Sequence, residues 1–387
     1  MPTQSLHIET GRSTPGYREG GRLNCKSLAR RPVFWIFVAC GLLALIAIVA
    51  YQTVVGRTCF FWSVSKTSCK LGGAHPKPQY SSDQKPDTGK KPLYGVCYSS
   101  WRVFGQCPSA EEVHEDIAIL RRFSSRVRTY GTGCPVEMDI LLNESTHAED
   151  FKLFLGVWLD GDEKADQSQI DDLLEALDKH PHARIVAIAV GNEVLFRGAL
   201  SRKRLVQRIR EVRAAVRRLG EKHASVSLLE VPITTVETVL HINEDLAKEL
   251  DLVAVNIHPF FGRSNLAQSK KFGDEVLLDF LGVYGRIEKI ANRLGKKVLV
   301  SEVGWPTSAE RGERNQGDSE LTKAFIKTFI SYAQEQGIRY FWFELFDSVW
   351  KRNLYGGKSE QFSEFNLGLV EENHRDDKML LDFGDSS

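Results

Sequence analysis

From about residue 93 onward, short apolar and β-branched runs alternate with longer segments whose apolar positions recur every three or four residues. The strand-like runs cover 94–98, 127–130, 151–159, 184–192, 225–231, 252–258, 297–304 and 339–346. Between most of them the pattern is helical. Ser109 and Glu112 have the spacing of a capping box ahead of Val113, Ile117 and Leu120. Leu205, Ile209, Val212, Val216 and Leu219 form one apolar helical stripe. Thr234 and Glu237 are spaced as a second capping box. Eight strands, each followed by a helix except where the chain shortens after the second, predict an α/β fold: a (β/α)8 TIM barrel over 93–375, with a C-terminal tail at 376–387. That span suits a fold that typically takes about 250 residues. A doubly wound open sheet is the alternative, but it calls for a Gly-rich loop after the first strand. Ser99-Ser100-Trp101-Arg102 stands there instead.

Ahead of the barrel the pattern is different. Residues 33–55 form an apolar run with no charged side chain, and roughly 20 such residues cross a bilayer as a helix. Arg22, Lys26, Arg30 and Arg31 precede it, while Arg57 follows almost alone. A basic excess on the near side keeps that side in the cytoplasm. Residues 1–32 then read as a disordered cytoplasmic tail, 33–55 as a single transmembrane signal-anchor helix, and 56–92 as a flexible, Pro- and Lys-rich extracellular stem. The expected location is the cell membrane, single-pass type II, with the barrel outside. A cleaved signal peptide competes, although its apolar region usually has about 7–15 residues.

Composition narrows the function classes. With a net charge of +1 over 387 residues, the chain lacks the basic excess of nucleic-acid-binding domains. Arg202, Lys203, Arg204, Arg208, Arg210, Arg213, Arg217 and Arg218 lie opposite the apolar stripe and read as a solvated helix face. Cys59, Cys69, Cys97, Cys107 and Cys134 all follow the apolar run, on the side where disulfides persist. The expected pairs are Cys107 with Cys134 and Cys59 with Cys69, with Cys97 a buried thiol in a strand. Spacing alone does not fix such pairings. Asn143-Glu144-Ser145 is a glycosylation acceptor pattern. No compact His, Cys and carboxylate cluster has metal-ligand spacing, so neither a metal nor another cofactor is expected.

The chemistry of a closed barrel sits where its strands end. Those ends supply Tyr98, Tyr130, Asn192, Glu193, Asn256, His258, Phe260, Phe261, Glu302, Trp305 and Glu344, followed by Trp350 and Lys351. A single glutamate at a strand end is usually a helix cap or solvated. Glu193 and Glu302, on the fourth and seventh strands, face each other across the mouth. Such a pair is what glycosidic bond cleavage needs: one carboxyl protonates the leaving oxygen, and the other attacks the anomeric carbon or activates water. Aromatic rings cover the C–H faces of sugars, while polar groups bind the hydroxyls. Tyr98, Tyr130, Phe260, Phe261, Trp305 and Trp350 are the candidate rings.

Ala189-Val190-Gly191-Asn192-Glu193-Val194, Val300-Ser301-Glu302-Val303-Gly304-Trp305-Pro306-Thr307 and Tyr340-Phe341-Trp342-Phe343-Glu344-Leu345-Phe346-Asp347 resemble glycoside hydrolase family 17, especially its fungal β-1,3-glucanase branch. Val127-Arg128-Thr129-Tyr130-Gly131-Thr132-Gly133-Cys134 and Asn256-Ile257-His258-Pro259-Phe260-Phe261 are similar to that branch too. The resemblance implies a retaining mechanism on β-1,3-glucan, with Glu193 as acid/base and Glu302 as nucleophile. The substrate contacts expected from the strand ends are Tyr98, Tyr130, Asn192, His258, Phe260, Trp305, Glu344 and Lys351. Membrane-anchored members with a cytoplasmic tail are a fungal arrangement similar to this layout. The branch often continues after the eighth strand with Asp-Glu-Pro-Trp-Lys, whereas Asp347-Ser348-Val349-Trp350-Lys351 stands here.

Overall fold

In the computed structural model the described residues are 91–99, 101–102, 106–262, 265–309, 315–348, 350–351, 363–371, 378 and 380–381. The tail, the apolar 33–55 run, nearly all of the stem, and Cys59 and Cys69 lie outside them. Among the described residues no helix is long and apolar enough to cross a membrane.

Eight strands form a closed barrel: β1 Val96–Cys97, β2 Arg126–Arg128, β3 Lys152–Val157, β4 Ile185–Asn192, β5 Ile233–Thr238, β6 Val253–Asn256, β7 Val298–Val303 and β8 Tyr340–Trp342. Every pairing is parallel, and β8 closes on β1 through Val96 and Trp342. Parallel strands covered on both faces need continuous apolar runs, and Phe154-Leu155, Val253-Ala254-Val255 and Leu299-Val300 are buried accordingly. The helices are α1 Ala110–Phe123, α2 Pro135–His147, α3 Glu163–Lys179, α4 Arg202–His223, α5 Val226–Glu230, α6 Glu244–Lys248, α7 Phe272–Arg293 and α8 Ser319–Gln336. The capping box forms at the start of α1: the Glu112 N–H donates to Ser109 Oγ at 3.3 Å, and the Ser109 N–H to Glu112 Oε2 at 2.7 Å. On α4, Leu205, Ile209, Val212 and Val216 are buried as the stripe predicts. The opposite side is not simply solvated. Arg208 is itself buried and pairs with Glu163 and Glu211, and Arg210 pairs with Glu249 at 2.7 Å.

Three sequence expectations need correction. The run 225–231 is not the fifth strand. Ser225 caps it, accepting from the Leu228 N–H at 3.2 Å, and it folds as the short helix α5 with Val226 and Leu229 exposed. The strand starts after Pro232, so Thr234 and Glu237 belong to β5 rather than to a capping box. Both are fully buried, and the Thr234 hydroxyl donates to the Leu252 carbonyl at 2.8 Å. Nor is the helix after β2 missing. Pro135 opens α2, suited to the first helical turn because it has no N–H to satisfy.

The pairing registers slip at the mouth: between Ala189 and Asn192 on β4, Val255 and Asn256 on β6, and Val300 and Val303 on β7. Such irregularities re-aim side chains at the ends of strands. On β4 the device is Gly191, with φ +88°, where an added Cβ would lie 2.3 Å from Val194 Cγ2. The disulfide Cys107–Cys134 joins the segment before α1 to the residue before α2, with Cα atoms 5.4 Å apart. Cys97 is a buried free thiol, and Asn143 is exposed on α2. Beyond residue 375, Lys378 Nζ reaches Asp347 Oδ1 at 2.7 Å, and Leu380 and Leu381 are buried.

Candidate active site

The two glutamates sit at strand ends in unlike surroundings. Glu302, on β7, is buried and held from three directions. Arg128 Nη1 donates to its Oε1 at 2.7 Å, the Tyr130 hydroxyl donates to the same oxygen at 3.0 Å, and His258 Nε2 lies 2.9 Å from Oε2. Burial alone would raise the carboxyl's pKa. The Arg128 charge, with His258 and Tyr130, outweighs it and brings the value down to about 2. These three partners thus favour the ionised form of Glu302.

Glu193 follows β4 and is half-buried. Its backbone has φ +52°, a left-handed conformation that side chains other than glycine rarely adopt. Asn256 Nδ2 donates to its Oε1 at 2.8 Å. Burial first, and then the negative charge of Glu302, raise its pKa above the ordinary 4.5. One carboxyl is thus set to hold a proton and the other to lose it.

Arg128 and Asn256 tie the two together. Besides Glu302, Arg128 donates to the Ser301 carbonyl at 2.8 Å and to Asn192 Oδ1 at 2.7 Å. Its guanidinium lies over the Tyr130 ring, 4.5 Å from the centroid, and over Phe154 at 5.5 Å. Asn256 Oδ1 accepts from Ser301 Oγ at 2.9 Å, while its Nδ2 also donates to Asn192 Oδ1 at 3.2 Å. Asn192 thus has its carboxamide oxygen engaged, which leaves the NH2 as the part that can donate to a ligand. A buried guanidinium needs a matching anion and hydrogen bonds; here Nη1 and Nη2 have them, while Nε is buried without a partner.

The structure brings together Tyr130, Asn192, Glu193, His258 and Glu302 of the sequence candidates. Glu344 and Lys351 form a neighbouring group: Glu344 Oε1 accepts from Ser348 Oγ at 2.6 Å, and Lys351 Nζ lies 3.8 Å away. Burial lifts Glu344 to about 7 against the pull of Lys351 and Ser348. Ser348, which departs from the fungal motif, is therefore a direct partner of Glu344. Three other candidates stand in the wall rather than on the cleft surface. Tyr98 is buried with its hydroxyl donating to Asp116 at 2.6 Å. Phe260 and Trp305 are buried edge to face at 5.1 Å, and Trp305 Nε1 donates to the Gln316 carbonyl at 3.1 Å. Among the described residues, Trp101, Trp158, Phe196 and Phe261 are the exposed rings on the loops and strand ends, and of these Phe261 was a sequence candidate. Trp101 lies 5.4 Å from Trp350.

The sequence analysis gives no site role to Arg128, Ser301 or Asn256, which enter it only within motifs or as a strand end, and it takes Glu237 as half of a capping box. An arginine inside an apolar strand is itself a signal, since a buried cation requires an anion. Glu237 is wholly buried; its Oε1 accepts from the Leu195 N–H at 2.8 Å, and Oε2 from the Phe196 N–H at 3.4 Å. Burial raises it to about 7, against the opposing pull of those two N–H groups.

The BtgE/BtgC glycoside hydrolase domain family matches residues 95–362. Among curated relatives, a probable glucan endo-1,3-beta-glucosidase btgC of Aspergillus terreus is 29% identical over 72% of this chain and 43% of its own length. Its Aspergillus flavus counterpart is 30% identical over 72% of this chain and 41% of its own length. The chain thus spans about two fifths of the length of these relatives. Among solved structures, a glycoside hydrolase family 17 beta-1,3-glucanosyltransferase from Rhizomucor miehei has a TM-score of 0.61 at 21% identity, covering 76% of this chain and 98% of that one. An endo-laminarinase from Formosa has a TM-score of 0.59 at 18% identity, covering 74% and 85%. At these identities the two structures speak for the fold.

Proposed function

The chain belongs to the BtgE/BtgC glycoside hydrolase domain family, and from that premise we propose that its barrel cleaves β-1,3-linked glucan with retention of configuration, using Glu193 as acid/base and Glu302 as nucleophile. The observation that carries this reading is the opposed state of the two carboxyls. Glu302 is driven towards the anion by Arg128, His258 and Tyr130, while burial and the Glu302 charge favour the protonated form of Glu193. Such a split assigns acid and nucleophile in paired-carboxylate sites.

In the first step Glu193 gives its proton to the glycosidic oxygen as a Glu302 oxygen attacks C1. The C1–O bond to the leaving chain breaks and a glycosyl ester forms on Glu302. In the second step Glu193, now a carboxylate, takes a proton from the acceptor hydroxyl. The acceptor oxygen bonds to C1 and Glu302 leaves as the anion. Asn192 offers its NH2 to the sugar 2-hydroxyl. Water as acceptor gives hydrolysis, and a second glucan chain gives transfer, the remodelling reaction. The names of the Aspergillus relatives support the β-1,3 linkage, as does the laminaritriose bound by the Rhizomucor miehei enzyme. The uncharged 33–55 run and the Cys107–Cys134 disulfide support a barrel held outside the cell membrane by a single type II anchor.

The test is time-resolved sizing of products from a reduced β-1,3-glucan oligosaccharide. Products that are all shorter than the donor indicate hydrolysis, and products longer than it indicate transfer. An unchanged donor, with a β-1,4- or β-1,6-linked oligosaccharide consumed instead, would refute the linkage.

A further inference from the structure

Glu237 takes no part in the two steps above, yet it is a wholly buried acid at the mouth of the barrel. It lies on β5, next to the strand that carries Glu193. The turn after Glu193 is held from β5 at three successive points. The Glu193 N–H donates to the Val236 carbonyl at 2.7 Å, the Leu195 N–H to Glu237 Oε1 at 2.8 Å, and the Phe196 N–H to Glu237 Oε2 at 3.4 Å. Two of these contacts end on a side chain rather than on strand backbone. Glu193 has a left-handed backbone that it would not adopt unaided, and the direction of its carboxyl follows from that conformation. The charged groups facing Glu237 are Glu193 and Arg197, both on this turn. Arg197 is itself anchored to the Asn192 and Leu159 carbonyls, so the turn has a second brace on its other side.

We propose that Glu237 is a positioning residue for the general acid: by accepting the Leu195 and Phe196 N–H groups it fixes the turn that aims Glu193 at the glycosidic oxygen. This rests on the reading of Glu193 as the acid. In its ionised form, which the two N–H groups favour against burial, Glu237 binds both donors at once with its two oxygens. A glutamine at 237 has one acceptor oxygen, and its NH2 would confront the second N–H. Removing that contact leaves Glu193 in place but loosens its aim.

The experiment compares substrates that need the acid with one that does not. kcat/KM is measured on a β-1,3-linked oligosaccharide, whose sugar leaving group must be protonated, and on 2,4-dinitrophenyl β-laminaribioside, whose leaving group departs as a stable anion. Glu237→Gln should lower kcat/KM on the oligosaccharide about tenfold or more, a part of what general acid catalysis contributes. On the dinitrophenyl substrate it should stay within about twofold of the parent. A residue that only supports the fold would reduce both alike, and that result, or no change on either, overturns the proposal. Glu193→Gln serves as the reference. If it slows both substrates equally, Glu193 is not the acid and the proposal falls with that reading. If it shows the leaving-group dependence and Glu237→Gln does not, the proposal alone falls. Should Glu237→Gln fail to fold, Glu237→Asp, which keeps both acceptor oxygens on a shorter stem, is compared in the same way. It is expected to show the same selectivity with a smaller loss.

Discussion

Replacing Arg128 with methionine removes the group that most strongly favours the Glu302 anion while roughly keeping side-chain volume. The fall of the Glu302 pKa from 4.5 to about 2 corresponds to about 3 kcal/mol in favour of the ionised form. In Arg128→Met burial remains and the largest opposing charge is gone. His258 and Tyr130 stay but do not replace a full guanidinium. The acid limb of kcat/KM, which follows loss of the nucleophilic anion, should therefore move up by about two pH units or more. Stability should change in step. A carboxyl whose folded pKa is depressed contributes stability that is fully present above its ordinary value of 4.5 and lost as the pH falls towards 2. Breaking a buried pair from one side destabilises by roughly 3–5 kcal/mol, so the gap in melting temperature between parent and variant should be wide at neutral pH and narrow towards pH 3. The assay is kcat/KM on a β-1,3-glucan oligosaccharide across the acidic range, with thermal melts alongside. An acid limb that coincides in parent and variant would refute the claim that Arg128 keeps Glu302 ionised.

Glu193 must stay protonated for the first step, and its pKa is raised. The alkaline limb of kcat/KM should thus lie above pH 4.5, and Glu302→Gln, by removing the nearby negative charge, should lower the Glu193 pKa, as direct carboxyl titration by NMR would read. Replacing Cys107 and Cys134 by serine opens a disulfide between residues 27 apart, a loop worth roughly 3 kcal/mol; the melting temperature should fall by several degrees, and an unchanged melt would contradict that contribution. Phe329 is fully buried, with ring contacts to Phe280 at 5.0 Å and Tyr340 at 4.8 Å, so Phe329→Ala should destabilise by about 3–5 kcal/mol in denaturant melts.

The barrel was legible in the sequence because parallel strands covered on both faces write continuous apolar runs, and these fell close to seven of the eight observed strands. The fifth misled because Val226, Leu228 and Val231 mimic a strand, while the cap at Ser225 and the break at Pro232 decide the structure. The paired glutamates were legible because each ends a strand beside a residue that permits a sharp turn. What holds them was not. Arg128, Asn256 and Ser301 act through contacts between strands far apart in the chain, and only closure of the barrel brings those strands together. Trp305 and Phe260 look like sugar platforms in one dimension, yet they fill the wall because bulky rings next to the mouth also close the core.

The most direct test uses a mechanism-based label. A 2-deoxy-2-fluoro-β-laminaribiosyl fluoride should react once and stall, since the fluorine slows both steps and the fluoride leaving group spares the first. Digestion and mass spectrometry should then find the sugar on the peptide that contains Glu302. A label on any other residue, or turnover with an inverted product and no label, would contradict the account.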